Sequence, residues 1–193
     1  MISPLDFRQA LRRDLRHARR NLSTNEQYGA ALGLLSCFVG QLATLNHAQR
    51  IAFYLSNDGE ISPHLLCYYC WKHNIQTYLP VLNGKQLVFA SYTKETTWQE
   101  NQFGIKEPIN TQRLSGDELD MVFLPLVGFD AKGGRLGMGG GFYDRTFENK
   151  KADTSPMLIG LAHDIQEVSR LTVESWDVPL QAIMTPSQYI VIK

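Results

Sequence analysis

Residues 133–145 read GGRLGMGGGFYDR, which places six of the chain's fifteen glycines within nine positions. Each glycine in a regular element costs about 0.5–1 kcal/mol relative to alanine, so such a density suits a backbone that must turn sharply or come very close to something. A run of accessible backbone N–H groups suits an anion, phosphate above all. Two flanking side chains could supply the charges. Arg135 can neutralise phosphate oxygens, and Asp144 can hold the magnesium that accompanies them. Residue types alone leave other roles open: a structural turn for the glycines, a surface ion pair for Arg135, a helix-start carboxylate for Asp144. The segment is not a Walker A loop, because GxxxxGK[ST] is absent, and it stands too late to be a dinucleotide fingerprint.

The elements around this segment must position it. Residues 119–129 (LDMVFLPLVGF) form a nearly continuous apolar run, as expected of a strand buried on both faces. The glycine segment follows, and residues 142–150 read as a helix. In open α/β sheets, ligands bind beyond the carboxyl ends of strands, where this segment would lie. Upstream, residues 4–22 alternate Leu and Arg at helical spacing after Pro4; as a bare pattern, that arginine set is a solvated face. Ser23, three residues before Glu26, predicts a capping box that opens a helix to about residue 45, with Leu32, Leu35, Phe38, Val39 and Leu42 inward. Strands are expected at 51–56, 76–82, 86–92, 157–162, 181–185 and 189–192. Asn57–Gly59 and Asn83-Gly84 are turns, and Ser62-Pro63 caps and opens a helix to residue 72. Residues 93–117 read as a long polar loop likewise close to a site. Strands alternating with helices predict a single α/β domain with a largely parallel sheet.

The totals narrow the function classes. The chain has 193 residues, a formal net charge of zero, 44% hydrophobic and 20% charged residues. Neutral balance argues against a general nucleic-acid binder, and the apolar runs are too short to span a bilayer. No apolar signal core follows the arginine-rich start, so a cytoplasmic protein is expected. The three cysteines, Cys37, Cys67 and Cys70, make no disulfide framework. Cys67 and Cys70 (CYYC) lie in a helical stretch and read as two small apolar residues one turn apart rather than a zinc or redox site.

A longer signature runs through the chain. LPLVGFDAKGGRLGMGGGFYDR (124–145) resembles the signature of the 5-formyltetrahydrofolate cyclo-ligases, also called methenyltetrahydrofolate synthetases. YLSNDGEIS (54–62), YLPVL (78–82), Gly104-Ile-Lys-Glu-Pro108 and Trp176-Asp-Val-Pro-Leu180 follow the same order. The resemblance implies a Rossmann-like α/β fold. It also implies conversion of 5-formyltetrahydrofolate and ATP to 5,10-methenyltetrahydrofolate, ADP and phosphate, with magnesium, by a cytoplasmic monomer that binds neither nucleic acid nor membrane. By position it assigns ATP contacts to Arg8, Gln9, Ala10, Leu11 and Arg12 and to Arg135, Leu136, Gly137, Met138, Gly139, Gly140, Gly141, Phe142 and Tyr143. Arg135 and Tyr143 would act in catalysis, and Asp144 and Asp177 would hold magnesium. Tyr54, Leu55, Glu60 and the stretch from Met138 to Phe142 would receive the folate, with Glu60 accepting from the pterin amide edge. Arg8, Met138, Gly140 and Thr172 depart from common family residues. His163 reads as a structural histidine, and Arg135→Met is expected to spare folding while slowing turnover. Two other classes are weighed beside this: a sugar-phosphate isomerase or CoA-transferase-like α/β enzyme that needs no ATP, and an RNA-binding module using the first helix.

Overall fold

The structure, a computed structural model, describes residues 4–45, 48–102, 104–109, 112–151 and 154–192. Helix α1 spans Pro4–Arg20 and α2 spans Thr24–Gly40. Between them Ser23 and Glu26 form the expected capping box: Ser23 Oγ accepts from the Glu26 amide at 3.3 Å, and the Ser23 amide donates to Glu26 Oε2 at 2.8 Å. Gly40 and the C-cap at Gln41 end α2 early, and the last turn is a separate helix, α3 (Leu42–Leu45). The buried face of α2 is Ala31, Leu34 and Phe38; Leu32 and Val39, expected inward, are 44% and 42% exposed. The sequence GAALGLLSCFVG is apolar almost all the way round, so periodicity does not select a face, and packing does. Helix α4 (His64–Lys72) has Pro63 rather than Ser62 at its cap, and its Cys67 and Cys70 are free and buried.

Among the described residues, eight strands form the main sheet. They are β1 (Arg50–Ala52), β2 (Gln76–Asn83), β3 (Gln86–Ser91), β6 (Arg113–Leu114), β7 (Met121–Pro125), β10 (Met157–Leu161), β11 (Ala182–Met184) and β12 (Tyr189–Val191). Their order is β12-β11-β10-β7-β1-β2-β3-β6. The five central strands, β11 to β2, run parallel, and antiparallel pairs β11–β12, β2–β3 and β3–β6 close the edges. The polar stretch 93–117 is not wholly a loop. It holds β6 and the small hairpin of β4 (Trp98–Glu100) with β5 (Lys106–Pro108); residues 103, 110 and 111 lie outside the described residues.

Alternation sorts the apolar residues to the two faces. Ile51, Phe53, Met121, Phe123, Ile159, Leu161, Ala182 and Met184 meet Leu34, Phe38, Leu66 and Cys70 of the helices. Ala52, Val122, Leu124, Leu158 and Ile183 face the other way, against Phe147, Val178 and Leu180. The 119–129 run is therefore buried on both faces as expected, but it is not one strand. Pro125 offers no N–H to continue the ladder. The chain then leaves the sheet as β8 (Gly128–Phe129), which turns back on β9 (Arg135–Leu136).

That turn is held by one carboxylate. Asp130 is buried; its Oδ1 accepts from the amides of Lys132 (2.8 Å) and Gly134 (2.9 Å), and its Oδ2 from that of Leu171 (2.7 Å). A Cβ on Gly134 would stand 2.5 Å from Asp130 Oδ2, so only glycine fits there. Asp130→Ala should therefore destabilise the chain by about 3 kcal/mol, from stranded buried donors. Urea unfolding checks this, and a loss under 1 kcal/mol would mean that water or other groups replace the carboxylate.

Candidate active site

The glycine segment leaves β9 at the carboxyl end of the parallel strands and leads into α5 (Phe142–Thr146), which stops short of the expected residue 150. Gly139 and Gly141 take left-handed backbone angles, φ 95° and 64°, that other residues adopt with strain. Residues 137–140 are exposed, and two arginines hold them from either side. Arg12 Nε donates to the Gly137 carbonyl at 2.8 Å, and Arg145 Nη2 to the Gly140 carbonyl at 2.7 Å. Arg145 Nε also reaches the Lys85 carbonyl at 2.7 Å, which ties α5 to the β2–β3 turn.

Arg135 and Asp144 meet each other. The Arg135 guanidinium, 9% exposed, pairs with Asp144 Oδ1, which also accepts from the Val178 amide at 3.2 Å. Burial pulls the Arg135 pKa below its ordinary value, while the carboxylates of Asp144 and then Asp177 oppose that shift. The pair is thus an ion pair, as one alternative held, but a part-buried one. Removing the guanidinium would leave Asp144 with the Val178 amide alone in a half-closed site, so the contact gives a reason for Arg135→Met to cost some stability as well as turnover. Asp177 Oδ2 accepts from the Glu174 amide at 2.9 Å and lies 3.8 Å from Arg8 Nη2.

The donor set suits magnesium in a particular way. Among the described residues no three carboxylates, histidines or cysteines gather as a ready cage. Magnesium commonly uses one or two carboxylates and takes its other oxygens from water and substrate phosphates. Asp144 and Asp177, whose charges both act on Arg135, are two carboxylates that fit that pattern.

Helix α1 supplies one face of arginines. Arg8 donates to the Thr172 carbonyl at 2.9 Å and lies 3.4 Å from Glu174. Arg12 lies along the glycine segment, its pKa lowered by burial and by the neighbouring charges of Arg8 and Arg16. Arg16, Arg19 and Arg20 all reach Asp58, at 2.7, 3.0 and 3.4 Å. Arg8, Arg12, Arg16 and Arg19 are thus engaged with the protein, while Arg13 and Arg20 stay exposed, which weakens the support for an RNA-binding helix. Within residues 8–12, Gln9 is exposed and Leu11 packs with Leu15, Val127, Leu136 and Leu171. Leu136 is fully buried in that cluster, so its side chain is core rather than ligand lining.

Glu60 lies beside the arginine cluster, after β1. Its Oε2 accepts from the Asn57 amide at 3.1 Å, and its Oε1 lies 3.6 Å from Arg19 Nη2. Burial raises its pKa from 4.5 to about 7, against the pull of the Asn57 amide and Arg19. Tyr54 is buried, with its hydroxyl donating to the Ile61 carbonyl at 2.7 Å, and Leu55 packs at the edge of the core. Tyr143 is half-buried; desolvation and the charge of Glu60 both push its phenol well up. Phe142 stacks under Arg145, 5.1 Å from ring centroid to guanidinium carbon. His163 is buried and donates from Nε2 to the Gly59 carbonyl at 3.2 Å, and burial keeps it neutral, as expected of a structural histidine.

A model of the 5-formyltetrahydrofolate cyclo-ligase family matches residues 5–186. The chain belongs to that family. A 5-formyltetrahydrofolate cyclo-ligase of Haemophilus influenzae is 44% identical over 182 residues, covering 92% of this chain and 96% of its own. One from Escherichia coli is 43% identical over 147 residues, 73% of this chain and 80% of its own. Among solved structures, the 5,10-methenyltetrahydrofolate synthetase of Aquifex aeolicus superposes with a TM-score of 0.83 at 26% identity, covering 96% of this chain and 93% of that one. Membership makes this chain an enzyme, a folate cyclo-ligase of α/β fold, and sets aside the isomerase and CoA-transferase readings.

Sequence reasoning missed Arg16, Arg19, Asp58, Asp130 and Arg145. A signal existed for the first two: Arg8, Arg12, Arg16 and Arg19 recur one helical turn apart and share a face. Asp130 precedes Gly133-Gly134 in the manner of an Asx turn. Asp58 sits in the predicted turn, but nothing in a turn signal says that three arginines converge on it.

The raised Glu60 pKa has a consequence for stability. Between pH 4.5 and about 7 the folded chain keeps a proton that the unfolded chain loses, so the ionised carboxylate weighs against folding above pH 7 and not below 4.5. Glu60→Gln should stabilise the chain relative to wild type at pH 8, by up to about 3 kcal/mol, and much less at pH 5. Thermal unfolding of both proteins at both pH values checks this; an equal difference at the two pH values would contradict it.

Proposed function

We propose that this chain closes 5-formyltetrahydrofolate to 5,10-methenyltetrahydrofolate at the expense of ATP, with magnesium, between α1, the glycine segment and the turn after β1. What supports this reading most is the gathering of Arg8, Arg12, Arg135, Asp144 and Glu60 at one end of the sheet in a chain of this family. The formyl oxygen is a poor leaving group. Its attack on the γ-phosphorus of ATP releases ADP and leaves an iminium phosphate; the neighbouring folate nitrogen then attacks the iminium carbon and phosphate departs. Such transfer needs positioning and charge neutralisation more than a protein nucleophile.

The residues divide that work. Glu60 accepts hydrogen bonds from the amino group and ring N–H of the pterin, with Leu55 and the backbone at residues 138–142 alongside. Arg8 and Arg12 approach the phosphates from α1. The backbone from Gly137 to Gly141 lies against the transferred group, and Arg135 offsets the charge that builds on it. Tyr143, whose phenol stays protonated, donates to an oxygen there. Bound magnesium, held by Asp144 and Asp177, would neutralise phosphate oxygens. Arg135, which pairs with Asp144 in the structure, would share that carboxylate with the metal and offset charge on the phosphoryl group. A monomer in a reducing cytoplasm suits three free cysteines.

Incubation with 5-formyltetrahydrofolate and Mg-ATP should generate the methenyl chromophore, and none should form without nucleotide. Asp144→Asn and Asp177→Asn should each raise the magnesium needed for half-maximal rate by about tenfold or more. Unchanged metal dependence in both variants would remove the metal assignment, and no chromophore from the wild-type chain would overturn the reaction.

A further inference from the structure

Arg19 is entirely buried, and a buried guanidinium is tolerated only where its donors are met. Its Nε donates to the Asp58 carbonyl at 2.8 Å, its Nη1 to the Leu126 carbonyl at 3.1 Å and its Nη2 to Asp58 Oδ2 at 3.0 Å. These three bonds come from the turn after β1 and from the residue after β7, so the guanidinium plane is fixed against the sheet. Nη2 then faces two more groups: Glu60 Oε1 at 3.6 Å and the Met138 sulfur of the glycine segment at 3.8 Å. One rigid cation therefore touches the carboxylate expected to read the pterin and the segment expected to approach phosphate.

We propose that Arg19 is a positioning residue for folate recognition, holding Glu60 as an oriented anion, with Asp58 as the counterweight that limits how much of its charge Glu60 receives. This rests on the reading of Glu60 as the pterin acceptor. Every charged or titratable group that faces Glu60 bears on it. Arg16 and Arg19 from α1 favour its ionised form, and Asp58 opposes it. Tyr54, before the turn, and Tyr143 of α5 lie within reach of its charge as protonated phenols. His163, after β10, contributes a neutral ring bonded to the Gly59 carbonyl. Burial alone drives Glu60 towards its neutral form, and a protonated carboxyl has lost the second acceptor that paired pterin donors need. Arg19 works against that drift from inside the protein, where solvent does not screen it.

The two partners act on Glu60 with opposite signs, which separates this role from simple structural support. Binding of 5-formyltetrahydrofolate to the full chain, titrated by calorimetry from pH 6 to pH 9, reads the effect. Wild-type affinity should rise with pH through a midpoint near 7, where Glu60 ionises. Arg19→Met should move that midpoint up by about one pH unit and weaken binding about fivefold at pH 7. Arg19→Lys, which keeps the charge, should leave it close to wild type. Asp58→Asn should move it down, because the competing anion is gone. Glu60→Gln serves as the blank in which no such midpoint remains. If Glu60→Gln keeps the wild-type midpoint, the pterin reading of Glu60 falls and this inference with it. If Glu60→Gln abolishes the midpoint, but Arg19→Met and Asp58→Asn leave it in place or move it in one direction, the Arg19 inference alone is overturned. Should Arg19→Met not fold, the downward shift in Asp58→Asn and the retained midpoint in Arg19→Lys decide, and their absence counts against it.

Discussion

A cation sealed between α1 and the carboxyl end of the sheet sets the geometry of everything around the site. Arg19 cannot be hydrated where it lies, so Asp58 and the Leu126 carbonyl must stay in place to meet it. That requirement fixes the turn after β1, and with it Glu60. It fixes the roll of α1 as well, because Arg12 and Arg8 lie seven and eleven residues earlier on the same face and are thereby aimed at the glycine segment and at residues 172–177. Gln166, in the short 3-10 turn after β10, completes the arrangement from the other side, donating to the Leu126 and Val127 carbonyls at 2.7 and 2.8 Å.

The glycine segment has a different character at its two ends. Before Arg135 it is rigid: Asp130 satisfies three amides, and no side chain fits at Gly134. After Leu136 it is exposed and held by single bonds from Arg12 and Arg145 to its carbonyls and by the long contact of Arg19 with the Met138 sulfur. A fixed anchor followed by a lightly tethered stretch lets the backbone move onto a ligand without disturbing Arg135. Phosphates arriving there would compete for Arg12, whose guanidinium is already crowded by Arg8 and Arg16. The arginines that hold the open segment are thus suited to be drawn to a bound nucleotide.

The sequence made the large features readable because their signals are local. The Ser23–Glu26 capping box, the alternating strands and the helical setting of Cys67 and Cys70 all follow from spacing that neighbouring residues share. What stayed hidden depends on contacts between distant parts of the chain. The buried face of α2 is chosen by the sheet, since its sequence is apolar nearly all round. The break after β7 is marked by Pro125, yet an apolar run conceals it. Asp58 and Arg19 are 39 positions apart, and neither residue type announces a partner. The family signature located the glycine segment, but it did not say that Arg135 and Asp144 are partners in a part-buried pair, nor that Tyr54 and Leu136 turn their side chains into the core.

The central claim is that nucleotide and folate meet at the carboxyl end of β1, β7 and β10. A crystal structure with 5-formyltetrahydrofolate, magnesium and a non-hydrolysable ATP analogue tests it most directly. The pterin edge should lie against Glu60, with the terminal phosphate between Gly137–Gly141 and Arg135 and the metal on Asp144 or Asp177. A groove of about 620 Å³, lined by Arg50, Trp71, Gln76, Tyr78 and Lys94 among others, lies at the opposite, amino ends of β1 and β2 and contains none of the proposed site residues. Either ligand bound in that groove, with the glycine segment empty, would contradict the account.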